Sequence, residues 1–395
     1  MFGTIKNVQI VDSTLREGEQ FASANFTSEQ KIEIAQALAA FGVEYLELTS
    51  PIASPQSERD LRAVVDLNLA SRILTHTRCN VGDVRRAIDC GVHGINLLFG
   101  TSAWLRDASH GRSIQQLLDE AIMAIRMVQE AGLEVRFSCE DAFRTEPADL
   151  LRIYTAIDAL GVDRVGIADT VGIATPRDVE RLVGLVRAAT RCDIEFHGHN
   201  DGGCAIANAH AALEAGATHI DTTVLGIGER NGIASLSGLI ARLYLSDPSL
   251  VAQYQLAQLA DLDTLVADIV GVSIPFNACI TGDTAFTHKA GLHTNAVLRN
   301  PHAYEALDPA AFGRTRAILL GHRLAGRNAI AQRARSLGHE LSDDQCRQLT
   351  QQLKARADAQ PLSDAEVDAL ICACAQAHAN GRADTSGPLQ IAIAQ

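Results

Sequence analysis

From Val8 to about Leu245 the chain repeats one pattern: a short apolar and often β-branched run, a polar loop, then a segment with apolar residues at helical spacing. The runs are residues 8–11, 45–48, 72–75, 95–98, 135–138, 164–167, 194–197 and 220–223. Short strands separated by helical segments predict a parallel sheet, because parallel neighbours need a long crossover. Eight such units close into a (β/α)8 TIM barrel. The helices carry end signals. Thr27-Ser28-Glu29-Gln30 has the capping-box spacing ahead of Ile32, Ile34, Ala35 and Leu38, and Gly42 closes the segment. A doubly wound open sheet is the alternative, but no Gly-x-Gly-x-x-Gly follows the first run.

After Ser246 the rhythm stops. Residues 250–270 are expected to be helical, 271–304 loop-rich, and the remainder mainly helical, with 380–395 partly unordered. The expected organisation is a catalytic barrel over 1–246, a linker or lid subdomain over 247–310, and a helical C-terminal region over 311–395. The 395 residues suit one barrel of about 250 plus such an appendage.

Composition narrows the function. A formal net charge of -13 argues against nucleic acid or an anionic membrane as a partner. No apolar run approaches the roughly 20 residues that span a bilayer, and residues 1–6 lack a signal-peptide core, so a cytoplasmic location is expected. The nine cysteines are scattered singly apart from Cys372 and Cys374, a pattern for small buried hydrophobes rather than disulfides.

Function in such a barrel sits at the carboxyl ends of the strands. Those positions hold Asp12, Arg16, Glu17 and Gln20; His76 and Arg78; Arg136, Ser138 and Glu140; Thr170; His197 and His199; and Glu229, Arg230 and Asn231. His197 and His199, two apart at a strand end, face one point and make half of a divalent-metal site. An isolated His-x-His more often bonds loop backbone, but these neighbours favour the metal. Arg136, Ser138 and Glu140 share one strand face, so a guanidinium, a hydroxyl and a carboxylate are expected to line the mouth and meet an anionic substrate.

Three stretches together resemble the metal-dependent, Claisen-condensing barrel family that includes isopropylmalate, citramalate and homocitrate synthases and related lyases. They are Asp12-Ser13-Thr14-Leu15-Arg16-Glu17-Gly18-Glu19-Gln20, His197-Gly198-His199-Asn200-Asp201 and Gly226-Ile227-Gly228-Glu229-Arg230-Asn231-Gly232. Within that family, residues 49–57, 98–102 and Phe286-Thr287-His288-Lys289-Ala290-Gly291-Leu292-His293 most resemble the homocitrate-synthase branch of the lysine-pathway type. The resemblance implies that Glu17, His197 and His199 hold a divalent metal (zinc, manganese, magnesium or cobalt), with Asn231 as a further or outer partner. It implies that Arg16, Gln20, His76, Arg136, Ser138 and Thr170 bind 2-oxoglutarate. It also makes Arg16, Glu140, His293 and Tyr304 catalytic, His293 being the base that deprotonates acetyl-CoA. His293 and Tyr304 would reach the barrel of the partner in a domain-crossed homodimer, and the products would be (R)-homocitrate and CoA.

Two positions depart from the family. An acidic residue that helps bind the inhibitor lysine in relatives is Asn96, and a lysine two places after the catalytic histidine is Asn295. An amide does not pair with an ammonium as a carboxylate does, which removes the basis for lysine feedback. The alternative function is a synthase of the isopropylmalate, citramalate or phosphonomethylmalate type acting on another 2-oxo acid. A non-catalytic barrel would have lost metal or base residues, and this chain retains them.

Overall fold

The fold is built on eight strands: β1 Gln9–Asp12, β2 Tyr45–Leu48, β3 Arg72–Arg78, β4 Gly94–Gly100, β5 Glu134–Glu140, β6 Arg164–Asp169, β7 Asp193–Gly198 and β8 His219–Thr222. They come from a computed structural model that describes residues 5–379. The strands close in sequence order, every pair parallel, with β8 against β1. Each run expected from the hydrophobic pattern is one of these strands. β3, β4 and β5 continue beyond the apolar runs because residues such as His76 and Glu140 still pair with their neighbours. In the first helix, α1 Ser28–Phe41, both capping-box bonds form and Gly42 takes the left-handed conformation at φ 108°.

Period-two alternation divides every strand between two environments. Ile10, Leu46, Ile73, Ile95, Phe137, Ile167, Phe196 and Ile220 are buried on the helix side. Inside the barrel Val11, Tyr45 and Leu74 form a small apolar group. Much of the lumen beside it is polar. Glu47 accepts from Ser13 Oγ at 2.6 Å, Arg16 Nε at 2.7 Å and Asn96 Nδ2 at 2.7 Å. Arg136 Nη2 lies 2.6 Å from Glu195 Oε1, and Arg164 Nε donates to Glu195 Oε2 at 3.1 Å. Arg164 also pairs with Glu134 and stacks over the Tyr45 ring, 4.6 Å from its centroid. Charges this deep persist only when paired, and the pairs interlock across β2, β5, β6 and β7.

The chain divides into two compact units at places other than the expected boundaries. Among the described residues, one unit runs to Ala285 and takes in Ala311–Gly313; the other comprises Phe286–Ala310 and the described chain from Arg314. Residues 247–285 thus belong with the barrel. Tyr254 stacks on Phe41 at 5.4 Å, and helix Leu259–Val270 carries Asp263, which accepts from Thr281 Oγ1. The stretch expected as loop over 271–304 contains helix Gly291–Arg299. In the second unit Thr287–His288 pairs with Ala317–Ile318 as a two-stranded parallel ribbon. Helices Arg327–Ser336, Asp343–Ala357 and Asp364–Ala379 pack around Leu320, Ile330, Leu349, Leu353, Val367 and Ile371. The expectation for 380–395 lies outside the described residues. The cysteines form no disulfide, as expected, but only Cys79, Cys90, Cys139 and Cys346 are buried; Cys192, Cys204, Cys372 and Cys374 are half-buried and Cys279 is exposed.

Gly166 tests the packing of the lumen. A Cβ there would stand 2.6 Å from the Arg136 guanidinium, which is held by Glu195 and cannot swing away without leaving a buried carboxylate unpaired. Gly166→Ala is expected to lose about 1–3 kcal/mol of stability, seen as a lower denaturant midpoint. An unchanged midpoint would show that the lumen is looser than these contacts require.

Candidate active site

β1 ends in a tight turn in which the Glu17 and Gly18 amides both donate to Ser13 O, aiming the Glu17 side chain inward. The loop after β8 meets it there: the Glu229 amide donates to Glu17 Oε1 at 2.8 Å. That approach requires glycine at 228, where a Cβ would stand 2.6 Å from the same oxygen. His197 on β7 and His199 just beyond it complete the group. Donor atoms of Glu17, His197 and His199 lie within 4.8 Å of one another, and all three residues are buried.

The chemistry of this set fits a divalent cation. Asp221 on β8 lies 2.8 Å from His197 Nδ1, fixing the tautomer and leaving Nε2 with its lone pair. His197 Nε2 and His199 Nε2 are 3.3 Å apart, so they share either a proton or a cation. Burial, with Arg16 next, lowers the pKa of His197 to about 4; burial, with His197 next, does the same for His199. Both rings are therefore neutral ligands at neutral pH. Burial works against charge on Glu17, but Arg16 beside it opposes this, the Glu229 amide helps, and its pKa stays below the usual carboxylate range.

The surrounding charge points the same way. Glu17, Glu47, Glu195 and Asp221, each no more than 2% exposed, outnumber the guanidiniums Arg16, Arg136 and Arg164 by four to three. The strain shows in Glu195, pushed up to about 7 by burial and then by Asp221 although Arg136 opposes it. Asp221 is pushed to about 6, chiefly by burial, again against Arg136. A cation held by Glu17 and the histidines would supply the missing positive charge.

The other expected residues are spread more widely. Arg16 stands beside the metal candidates, its Nη1 on Glu17 and its Nε on Glu47. Arg136, Ser138 and Glu140 share the inner face of β5 as expected, but at different depths. Arg136 is 5% exposed and pairs with Glu195 inside the barrel rather than at its mouth, because the buried carboxylate holds it there. Ser138 Oγ donates to Gly166 O, while Glu140 at the strand end has its pKa raised by burial. His76 on β3 is neutral, lowered to about 4 by burial and then Arg16, and its Nδ1 is buried without a partner among the described residues. Thr170 Oγ1 accepts from the Asp141 amide, and Arg230 clamps the rim through Asp201 and Thr170 O. Gln20 and Asn231 are exposed on their loops. His293 and Tyr304 lie in the second unit, their rings 4.3 Å apart between centroids.

Glu47, Asp221 and Glu195 were not singled out from the sequence. Each carried a signal: an acidic residue within an apolar strand run, as in Leu46-Glu47-Leu48, on the face that period two turns inward. Asp221→Asn keeps the shape but loses the charge that orients His197. It is expected to weaken divalent-metal affinity about 10- to 100-fold in calorimetric titration, and an unchanged affinity would remove Asp221 from the site.

Comparison with known proteins agrees with this geometry. Residues 7–266 match the HMGL-like family, and residues 280–361 match the "Homocitrate synthase post-HMGL domain-like" family. The mitochondrial homocitrate synthase of Penicillium rubens is 51% identical over 98% of this chain and 81% of its own length. The cytosolic homocitrate synthase isozyme of Saccharomyces cerevisiae is also 51% identical, over 93% of this chain and 86% of its own. Among solved structures, the HMG-CoA lyase of Bacillus subtilis superposes with TM-score 0.63 at 21% identity, covering 70% of this chain and 97% of that one, which supports the barrel fold. With both parts matched in order and half the residues shared, the chain belongs to the homocitrate synthase family, acyl-CoA-dependent condensing enzymes built on the metal-dependent HMGL-like barrel.

Proposed function

We propose that this chain joins the methyl carbon of acetyl-CoA to C2 of 2-oxoglutarate and hydrolyses the thioester, releasing (R)-homocitrate and CoA. The observation that carries the proposal is the Glu17, His197 and His199 donor set, in a lumen that also holds polar atoms without partners among the described residues, His76 Nδ1 and Arg136 Nε. A divalent ion held there would supply Lewis acidity to the keto group of the 2-oxo acid. Zinc, manganese, magnesium and cobalt all suit these donors.

The chain's own groups do the rest. Arg16, with Nε on Glu47 and Nη1 on Glu17, keeps Nη2 for the oxygen charge that develops at C2. Ser138, Thr170, Gln20 and His76 take the carboxylates of 2-oxoglutarate, and Arg136 faces the distal one from deeper in the barrel. A cavity of about 700 Å³ lined by Arg78, His110, Arg112 and Glu140 opens beside the ends of β3 to β5, with two guanidiniums for the phosphates of acetyl-CoA. His293, with Tyr304 as its partner, removes the methyl proton, and Glu140 relays it. Asn231, on the same loop as Glu229, would be an outer partner of the metal.

His293 is proposed to act on the barrel of the partner subunit in a domain-crossed homodimer. The proposed location is the cytoplasm and the proposed pathway is lysine synthesis; the matched relatives include four enzymes named mitochondrial and one named cytosolic. Asn96 is occupied with Glu47, and Asn295 accepts from Asn328, so neither offers a charge to a regulatory lysine.

Release of free CoA thiol from acetyl-CoA tests the activity. Turnover is expected with 2-oxoglutarate and not with 2-oxoisovalerate, pyruvate or phosphonopyruvate, to be abolished by chelator, and to be unaffected by lysine. Selectivity for a different acid would overturn the substrate assignment. Mixing Glu17→Ala and His293→Ala subunits tests the crossing. Each variant alone is expected to be inactive, and the mixture to regain roughly a quarter of wild-type activity because each mixed dimer holds one intact site. Failure to regain activity would place His293 over its own barrel.

A further inference from the structure

We propose that His288, Glu305 and Arg316 form an ionic clamp that positions the His293–Tyr304 pair for proton abstraction. The proposal rests on the reading of His293 as the base, and it concerns groups that themselves meet no substrate.

The need for a clamp follows from the local structure. His293 sits on helix Gly291–Arg299, nine residues long, with Ala290 at its start and no side-chain cap. A helix so short does not hold its own position, so its flanks must. Tyr304 follows the single turn Pro301–Ala303 and is 48% exposed, and His293 is exposed as well. Within the chain itself, core packing therefore does not set the 4.3 Å ring spacing and 31° interplanar angle between them. The backbone on either side has to.

Both flanks converge on one carboxylate. Glu305, the residue after Tyr304, has a side chain only 7% exposed. Its Oε1 lies 2.8 Å from His288 Nε2 and accepts from Arg316 Nε at 2.5 Å, while Oε2 accepts from Arg316 Nη2. His288 lies on the strand that leads into the His293 helix, and Arg316 immediately precedes the strand that pairs with it. The ribbon is itself bonded, with Leu319 N donating to His288 O at 2.9 Å, and the helix start is tied by Gly291 N to Leu324 O at 3.0 Å. Thus the approach to His293, the paired strand and the Tyr304 turn are joined through Glu305. Arg316, and then His288, hold the Glu305 carboxyl below its ordinary pKa, so it stays an anion and the forked Arg316 contact stays charge-assisted.

The role predicted is one of geometry. A base displaced by about 1 Å can cost roughly 100-fold in rate without any change in substrate affinity. Glu305→Ala is expected to lower kcat roughly 10- to 100-fold with KM for 2-oxoglutarate unchanged, and Glu305→Gln, which keeps an accepting oxygen, to lose less. Because proton removal becomes slower relative to other steps, the isotope effect on kcat with methyl-deuterated acetyl-CoA should rise in Glu305→Ala. Thermal unfolding and active-site counting of the same samples separate this from loss of folded protein. An unchanged kcat and isotope effect per folded subunit would overturn the clamp, as would a rate loss accounted for wholly by unfolded protein. His293→Ala distinguishes the two levels. If it is inactive while Glu305→Ala is fully active, the clamp alone fails; if it keeps the wild-type rate, the assignment of the base fails and takes the clamp with it.

Discussion

The barrel is organised around a chain of buried ions that a hydrophobic lumen would not need. Arg164, Glu195 and Arg136 alternate in sign through the interior, Asp221 links Arg136 to His197, and a second branch runs from Glu47 through Arg16 to Glu17. Replacing such pairs by apolar side chains is often neutral or stabilising in proteins, so their presence is a weak argument for stability. It is a better argument for function. Both branches end on candidate metal ligands, and both fix a protonation state: His197 is neutral with Nε2 presented, and Glu17 is an anion.

This arrangement explains why the site is rigid where the chemistry needs it. The Glu17 turn is held from β1 by Ser13 O and from the loop after β8 by the Glu229 amide, and glycine at 228 permits the second contact. Preorganised donors of this kind require no rearrangement when charge develops on a substrate oxygen. Asn96 fits the same logic. Its amide donates to Glu47, whereas a carboxylate at that place would add a further negative charge to a lumen already short of positive ones.

Much of the fold was legible in the sequence because a parallel barrel writes each strand as a short apolar run with helices between, and all eight runs became strands. The His197 and His199 pair was legible because residues two apart at a strand end face one point, whereas Glu17 was joined to them through the family resemblance, and the structure brings the three together. The depth of Arg136 was not, since period two gives the face of a strand but not how far a long side chain is drawn toward a buried partner such as Glu195. The helix at Gly291–Arg299 was missed for a related reason: it lacks a cap and a long apolar stripe, and it is held by contacts distant in sequence at Leu324 and, through His288, at Glu305 and Arg316. The boundary at Ala285 was likewise set by packing, with Tyr254 on Phe41, rather than by a change in composition.

The central claim is that the interior charge of this barrel is completed by one divalent cation on Glu17, His197 and His199. Anomalous diffraction from crystals of the full chain grown with manganese tests it most directly. The account predicts one strong peak per subunit within bonding distance of Glu17 and of the Nε2 atoms of both histidines. A crystal with no peak there, or with the metal held by other residues, would contradict it.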